Sequence, residues 1–190
     1  MSKFVLIDGH SILNRAFYGV PIFTNSEGLH TNAVFGFLNI MFKIIDSKQP
    51  DYMAVAFDVH QPTFRHEMFK DYKGTRKPMM EELREQVPVI KELLQKMNIT
   101  TVELPGYEAD DVIGTLSKKG EKAGMEVDVI SGDRDLLQLA SDHITICILK
   151  TKKGQTTVEE YNTEGVRELY KVTPTEFIDV KALMGDSSDN

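Results

Sequence analysis

Carboxylates recur at fixed places along this chain. Asp8 closes the apolar run FVLID and Asp58 closes YMAVAFD. Glu108, Asp110 and Asp111 follow ITTVEL within GYEADD, and Asp133 and Asp135 follow EVDVIS within SGDRD. Asp186 and Asp189 add a pair in GDSSDN. One Asp at a strand end is an ordinary turn or cap residue. A helix N-terminus also accommodates one or two acids through its dipole, which could account for the Glu108 cluster taken alone. Four apolar runs, each followed by acid, form a different pattern. Like charges gathered at one edge repel unless something neutralises them. Hard divalent cations, Mg²⁺ or Mn²⁺, suit all-oxygen donors. The carboxylates exceed what one ion needs. Two ions roughly 4 Å apart would fit, an arrangement that serves phosphodiester cleavage.

Other chemistries lack their residues. His10, His30, His60, His66 and His143 are scattered, without HxxxH or CxxC spacing, so a zinc site is not expected. There is no phosphate-binding GxxxxGK loop, no GxSxG serine elbow and no Cys/His pairing. The single cysteine, Cys147, lies in the apolar run ITICIL and reads as a buried structural thiol, which fits a reducing, cytoplasmic setting. No apolar run approaches the length of a membrane span and no signal peptide opens the sequence, so no membrane partner is expected. The formal charge of -7 argues at first against a nucleic-acid partner. Set aside the nine acids above, and the balance becomes +2. Two divalent ions would supply +4 more, so the metallated protein need not repel phosphate.

The cations are also placed. FKDYKGTRKP sets Lys70, Lys73, Arg76 and Lys77 beside Phe69 and Tyr72. Cations hold phosphates and aromatics stack on unpaired bases. A solvated basic loop would have the same composition. This stretch follows Asp58 almost directly, so it projects from the acidic edge. Arg15, one or two helical turns after Asp8, either reaches the same edge or caps a surface.

Positioning these groups requires a scaffold of alternating elements. The spacing predicts strands at Phe4–Asp8, Tyr52–Asp58, 99–104, 126–133 and 143–149, with a possible edge strand in QTTVEEY. Helices are expected over Thr31–Ser47, over Glu81–Met97 with an interruption at Pro88, and from Glu108 to a stop at Gly124. Two short helices are expected near Thr163–Tyr170 and Pro174–Met184. Apolar strands separated by helices indicate an α/β fold, with a central, mainly parallel sheet covered on both faces. Ligands of such sheets bind at the carboxyl ends of the strands, where the acids fall. One domain over 1–190 is expected, with a mobile basic and aromatic excursion at about 59–80.

The stretches LIDGHSILNRAFYG, AVAFD, FRHEMFKDYKGTRKPMMEELREQ, GYEADDVIGTL, VISGDRDLLQL and ALMGDSSDN run in order over nearly the whole chain. In these the chain resembles the 5′-nuclease domain of bacterial DNA polymerase I, within the wider flap-endonuclease family. The resemblance implies a PIN-like fold with a helical arch at the excursion. It implies a Mg²⁺-dependent 5′-3′ exonuclease and flap endonuclease acting on 5′ ends and 5′ flaps of DNA and on RNA primers hybridised to DNA. Asp8, Asp58, Glu108 and Asp110 match the ligands of a first metal, with Asp111 close by. Asp133, Asp135, Asp186 and Asp189 match a second group. Tyr72, Lys73 and Arg76 match arch residues that grip the 5′ strand and the scissile phosphate, with Lys73, Arg76 and Asp133 assigned to the chemistry. Lys70 and Lys77 are expected to assist on DNA, and Arg15 matches a basic residue near the active site.

The resemblance further implies a bacterial, nucleoid-associated protein that takes part in replication and repair, with a polymerase domain in the full-length form. The family continues after GDSSDN into a helix-hairpin-helix region that holds the duplex. The sequence ends at Asn190, so weak duplex grip and a loosely held second metal are expected. Two rival readings remain. An aspartyl-phosphate phosphatase would use Asp133 as nucleophile and Asp135 as acid. A non-catalytic DNA-binding fragment would use the basic excursion alone.

Overall fold

The computed structural model describes residues 1–152 and 155–185. A six-stranded sheet runs in the order β3-β2-β1-β4-β5-β6. Its strands are β1 (Lys3–Asp8), β2 (Tyr52–Ala56), β3 (Thr100–Val102), β4 (Glu126–Ser131), β5 (Ile144–Lys152) and β6 (Gln155–Tyr161). The first five pair in parallel and β6 joins antiparallel at one edge. This is the expected α/β architecture. β1 keeps Asp8 in its ladder, paired with Ala56 and buried, whereas β2 ends at Ala56, two residues before Asp58.

The helices are α1 (Gly9–Gly19), α2 (Asn32–Lys48), α3 (Phe64–Met68), α4 (Glu81–Arg84), α5 (Gln86–Lys96), α6 (Ala109–Lys122), α7 (Thr163–Tyr170) and α8 (Glu176–Met184). Alternation along the strands sends successive side chains to opposite faces. Val5, Ile7, Val55 and Ile130 pack one way, against α1, α2 and α5. Leu6, Ala54, Val127 and Val129 pack the other way, against α6, with Val166 and Phe177 of α7 and α8 in the same cluster. The helical stripe Val34, Phe37, Met41 is core, and so is Cys147, whose thiol burial pushes up to about 12. Among the described residues no helix is long and apolar enough to cross a membrane.

Chain order β1-β2-β3 builds outward on one side of β1, and β4 then returns to its other side. The winding of the chain therefore reverses between the parallel neighbours β1 and β4. In open α/β sheets the crevice at such a reversal is the binding position.

Pro88 lies in the first turn of α5, where its missing N–H costs little. The interruption it predicts is the break between α4 and α5. Gln86 next to it is fully buried and uses its whole amide. Its Oε1 accepts the Ala33 and Val34 N–H groups at 2.8 and 3.1 Å, and its Nε2 donates to Asn32 Oδ1 and Glu82 O. This network ties the base of the 59–80 excursion to the start of α2.

The excursion is less helical than an arch. α3 covers only Phe64–Met68, and hydrogen-bonded turns follow from Phe69 to Arg76. Lys73 sits at φ 57°, and Gly74 and Pro78 come next. A left-handed residue, a glycine and a proline within six positions stop a helix from propagating. The segment folds down over the sheet edge instead of standing away from it.

Candidate metal centre

The carboxyl ends of the strands bring the predicted acids to one edge. Asp8 is the last residue of β1 and the N-cap of α1. Its Oδ1 accepts the Ser11 N–H at 3.0 Å and its Oδ2 accepts the Ser131 hydroxyl at 2.8 Å. Ser131 ends β4, so this bond crosses the sheet at its point of reversal. The Ser131 hydroxyl also accepts the Asp133 N–H at 3.0 Å, which fixes the loop carrying Asp133 and Asp135. Asp133 is exposed, and its Oδ1 accepts the Asp135 N–H at 2.8 Å. Asp135 is paired with Lys181 of α8 at 2.9 Å.

Asp58 reaches across to the start of α6. Its Oδ1 accepts the Ala109 N–H at 2.7 Å, one of the donors that a helix N-terminus leaves open. Its own N–H donates to Nδ1 of His10 at 3.1 Å. That bond leaves the proton of a neutral His10 on Nε2.

The Glu108 cluster separates into two kinds of acid. Asp111 belongs to the helix end: its Oδ2 accepts the Glu108 N–H at 3.0 Å, the returning half of a capping box. Arg65 of α3 holds both its oxygens at 2.7 and 2.8 Å, and these bonds keep its carboxyl below the usual range. Asp111 is therefore assigned to capping and to anchoring the excursion. Glu108 is buried and draws two excursion residues, Lys73 at 2.8 Å and the Tyr72 hydroxyl at 3.1 Å. Burial alone would lower the Lys73 ammonium, but Glu108 outweighs it and raises it.

Asp110 has no such partner. Among the described residues it makes no hydrogen bond or ion pair. Desolvation, then the charges of Asp8, Asp133, Asp58 and Glu108, push it up to about 8. Asp8 is pushed up to about 6, chiefly by burial, despite its two hydrogen bonds. Helix capping explains Asp111 and part of Glu108; it does not explain Asp110. As the side chains stand, no three of the described His, Cys, Asp or Glu residues are drawn together tightly enough to grip an ion. Three of the acids already have partners: Lys73 on Glu108, Arg65 on Asp111 and the Ala109 N–H on Asp58. The donor set nevertheless fits a hard divalent ion. It is all oxygen, partly dehydrated, and short of cations where Asp8 and Asp110 meet.

A cleft of about 660 Å³ opens over this edge, lined by Arg65, Tyr72, Lys73, Arg76, Asp110 and Asp133 among others. Lys70 and Lys77 are exposed and stay outside it. Arg15 lies in a second cleft with Asp133 and Asp135 and is packed against Gly132, where a Cβ would come within 3.0 Å of its Nη2. Asp186 and Asp189 lie outside the described residues. Arg65, His10 and Ser131 were not singled out by sequence reasoning. Arg65 had a signal, being a cation in the same excursion as Lys73. Ser131 and His10 act only through neighbours that the fold supplies.

Residues 3–171 match the family model of the 5′-3′ exonuclease N-terminal, resolvase-like domain, and the chain belongs to that family. It is 53% identical over 188 residues to DNA polymerase I of Bacillus subtilis and 45% identical over 192 residues to that of Streptococcus pneumoniae. Each match takes in 99% of this chain but only 21% and 22% of those proteins, so the chain spans about a fifth of the length of the curated relatives it matches. The fold is that of T5 5′-exonuclease with bound zinc ions, at a TM-score of 0.76 and 25% identity over 99% of this chain and 68% of that one. The bacteriophage T5 D15 flap endonuclease, in a pseudo-enzyme-product complex with DNA and metal ions, matches with the same TM-score, identity and coverage. Human GEN1 in complex with Holliday junction DNA shares the fold at a TM-score of 0.59 and 14% identity over 98% of this chain and 45% of that one.

Proposed function

We propose that this chain is the catalytic domain, over 1–190, of a 5′-3′ exonuclease and 5′-flap endonuclease that hydrolyses phosphodiester bonds of DNA and of RNA primers on DNA. Mg²⁺ is the metal assigned to it, with Mn²⁺ able to substitute. In the bacterial protein a polymerase domain accompanies it, and the work lies in replication and repair at the nucleoid. The observation that carries the reading is Asp110: a carboxylate without a cation, set among Asp8, Asp58 and Asp133, beneath a roof of Tyr72, Lys73 and Arg76.

Asp8, Asp58, Glu108 and Asp110 would hold one ion, and Asp133 and Asp135, with Asp186 and Asp189, a second. When bound, divalent ions supply Lewis acidity and lower the pKa of water at neutral pH. The chain's own residues do the rest. Ser131 orients Asp8 and the Asp133 loop together, and His10 holds the backbone of Asp58. Lys73 and Arg76 stabilise charge on the phosphate, and Tyr72 offers a face for an unpaired base. Lys73 is tied to Glu108 in the described state, so it must exchange that carboxylate for phosphate when substrate arrives. Arg15 binds the strand on the far side of Asp133. Lys70 and Lys77 add long-range attraction from outside the cleft.

The phosphatase alternative is less well supported, because it gives Asp8, Asp58, Glu108 and Asp110 no role. The test is cleavage of a 5′-labelled flap duplex in Mg²⁺ or Mn²⁺ beside Asp133→Ala. Short 5′ products that vanish in the variant are expected. A flap bound in Ca²⁺ but never cut would leave only a binding fragment.

A further inference from the structure

The nuclease reading needs one strand to cross the carboxylates, and it leaves open where that strand goes next. Two clefts share Asp133 and Asp135 and are otherwise lined by different elements. One, with Arg15 and Tyr18, runs out along α1. The other passes beneath the excursion and continues along α6 to Lys118, Lys119 and Lys122. α6 is amphipathic in the matching sense. Val112, Ile113, Ser117 and Gly120 are buried, while Thr115, Lys119 and Lys122 are exposed on the other side.

The spacing from Asp110 to Lys122 corresponds to roughly 18 Å of helix, enough for several phosphates in a row. Lys118 is paired with Glu121 at 3.1 Å. Lys119 and Lys122 make no ion pair among the described residues, so their charges are available to an anion. Lysines in a last helical turn also complement the helix dipole, but that role needs no cleft. Here the same lysines line one that begins at the proposed chemistry. The roof formed by Tyr72, Lys73 and Arg76 covers this cleft and not the other. A covered passage suits one strand better than a duplex.

We propose that the exposed face of α6, through Lys119 and Lys122, is a landing track for the single-stranded 5′ portion of the substrate after it has passed the carboxylates. The inference rests on the nuclease reading and deepens it. The track contacts backbone phosphate, so it is indifferent to base sequence and acts only on flaps long enough to reach it.

The test compares duplexes bearing a flap of one nucleotide and of about ten nucleotides, a length that a single-strand groove spans. Binding is measured in Ca²⁺ over a range of salt for the unaltered chain, for Lys119→Gln/Lys122→Gln, and for Lys96→Gln on the distant helix α5. The unaltered chain should bind the long flap several-fold more tightly than the short one. The double variant should lose that advantage, and its salt slope on the long flap should fall by roughly 1.4, at about 0.7 per lost phosphate contact. Lys96→Gln should behave as the unaltered chain does. Retention of the length preference by the double variant, or an equal loss on both flaps, overturns the track. Failure of the unaltered chain to cut either flap in Mg²⁺ sinks the nuclease reading and the track with it, an outcome separate from the first two.

Discussion

The floor and the roof of the cleft handle negative charge in opposite ways. On the roof side, Glu108 and Asp111 have cations already: Lys73 with Tyr72 on one, Arg65 on the other. On the floor, burial first and neighbouring acids second push Asp8 up to about 6 and Asp110 up to about 8. The roof is therefore satisfied without metal, and the floor is not. A divalent ion gains most where the fold has withheld a cation, and it must compete where the excursion has supplied one. The excursion already supplies a cation, Lys73, at Glu108, and the same residue is the one we propose for gripping phosphate.

Breaking the floor should have the largest effect. Asp110→Asn removes the carboxylate that no neighbour replaces, and flap cleavage should fall by more than about 100-fold. The same variant should melt higher than the unaltered chain in metal-free buffer at alkaline pH, because a repelled charge is gone. A merely structural Asp110 would give the reverse sign.

Breaking the roof should separate two quantities. Lys73→Met should lower turnover by about 10²–10³, the scale of one lost transition-state donor. It should also tighten Ca²⁺ binding measured by calorimetry, since Glu108 is released. Weaker Ca²⁺ binding in this variant would contradict the competition at Glu108.

The pH dependence sharpens the comparison. Asp8 and Asp110 keep protons in the folded chain at pH values where the unfolded chain has released them, above about pH 4. Stability of the metal-free chain should therefore fall as pH rises from about 4 towards 8. Thermal melts at about pH 5 and about pH 9 should show the drop, and saturating Mg²⁺ should raise the midpoint more at the higher pH. An equal rise at both would remove the floor's special role.

The smallest effect tests the join between β1 and β4. Ser131→Ala deletes the bond to Asp8 and strands the Asp133 N–H, at a cost of about 1–3 kcal/mol, read as a shift in denaturant midpoint. Metal affinity should weaken with it, because Asp8 and the Asp133 loop then move independently.

Much of this was legible in the sequence. Apolar runs fixed by period and length, each trailing an acid, place Asp8, Asp58 and Asp133 at one edge. Gly124 marked the stop of α6, and Pro88 marked the break before α5, because both residues act through local backbone geometry. The excursion was legible as basic and aromatic but not as a folded lid, since the Lys73–Glu108 and Arg65–Asp111 pairs join residues 35 and 46 positions apart. Asp110 and Asp111 were indistinguishable as neighbours in a string. A helix turns them by about 100° relative to each other, one towards Asp8 and the other towards Arg65. Only the fold separates the proposed ligand from the cap.

The most direct test is calorimetric titration of Mn²⁺ into the chain at about pH 7, repeated in buffers of different ionisation enthalpy to count protons released. With Asp110 at about 8 and Asp8 at about 6, Asp110 is the floor group that holds a proton at that pH, and the ion must displace it. Release of about one proton per chain, disappearing at about pH 9 and in Asp110→Asn, is the result expected. Tight binding with no proton release, or no binding at either pH, would contradict a metal centre built on this floor.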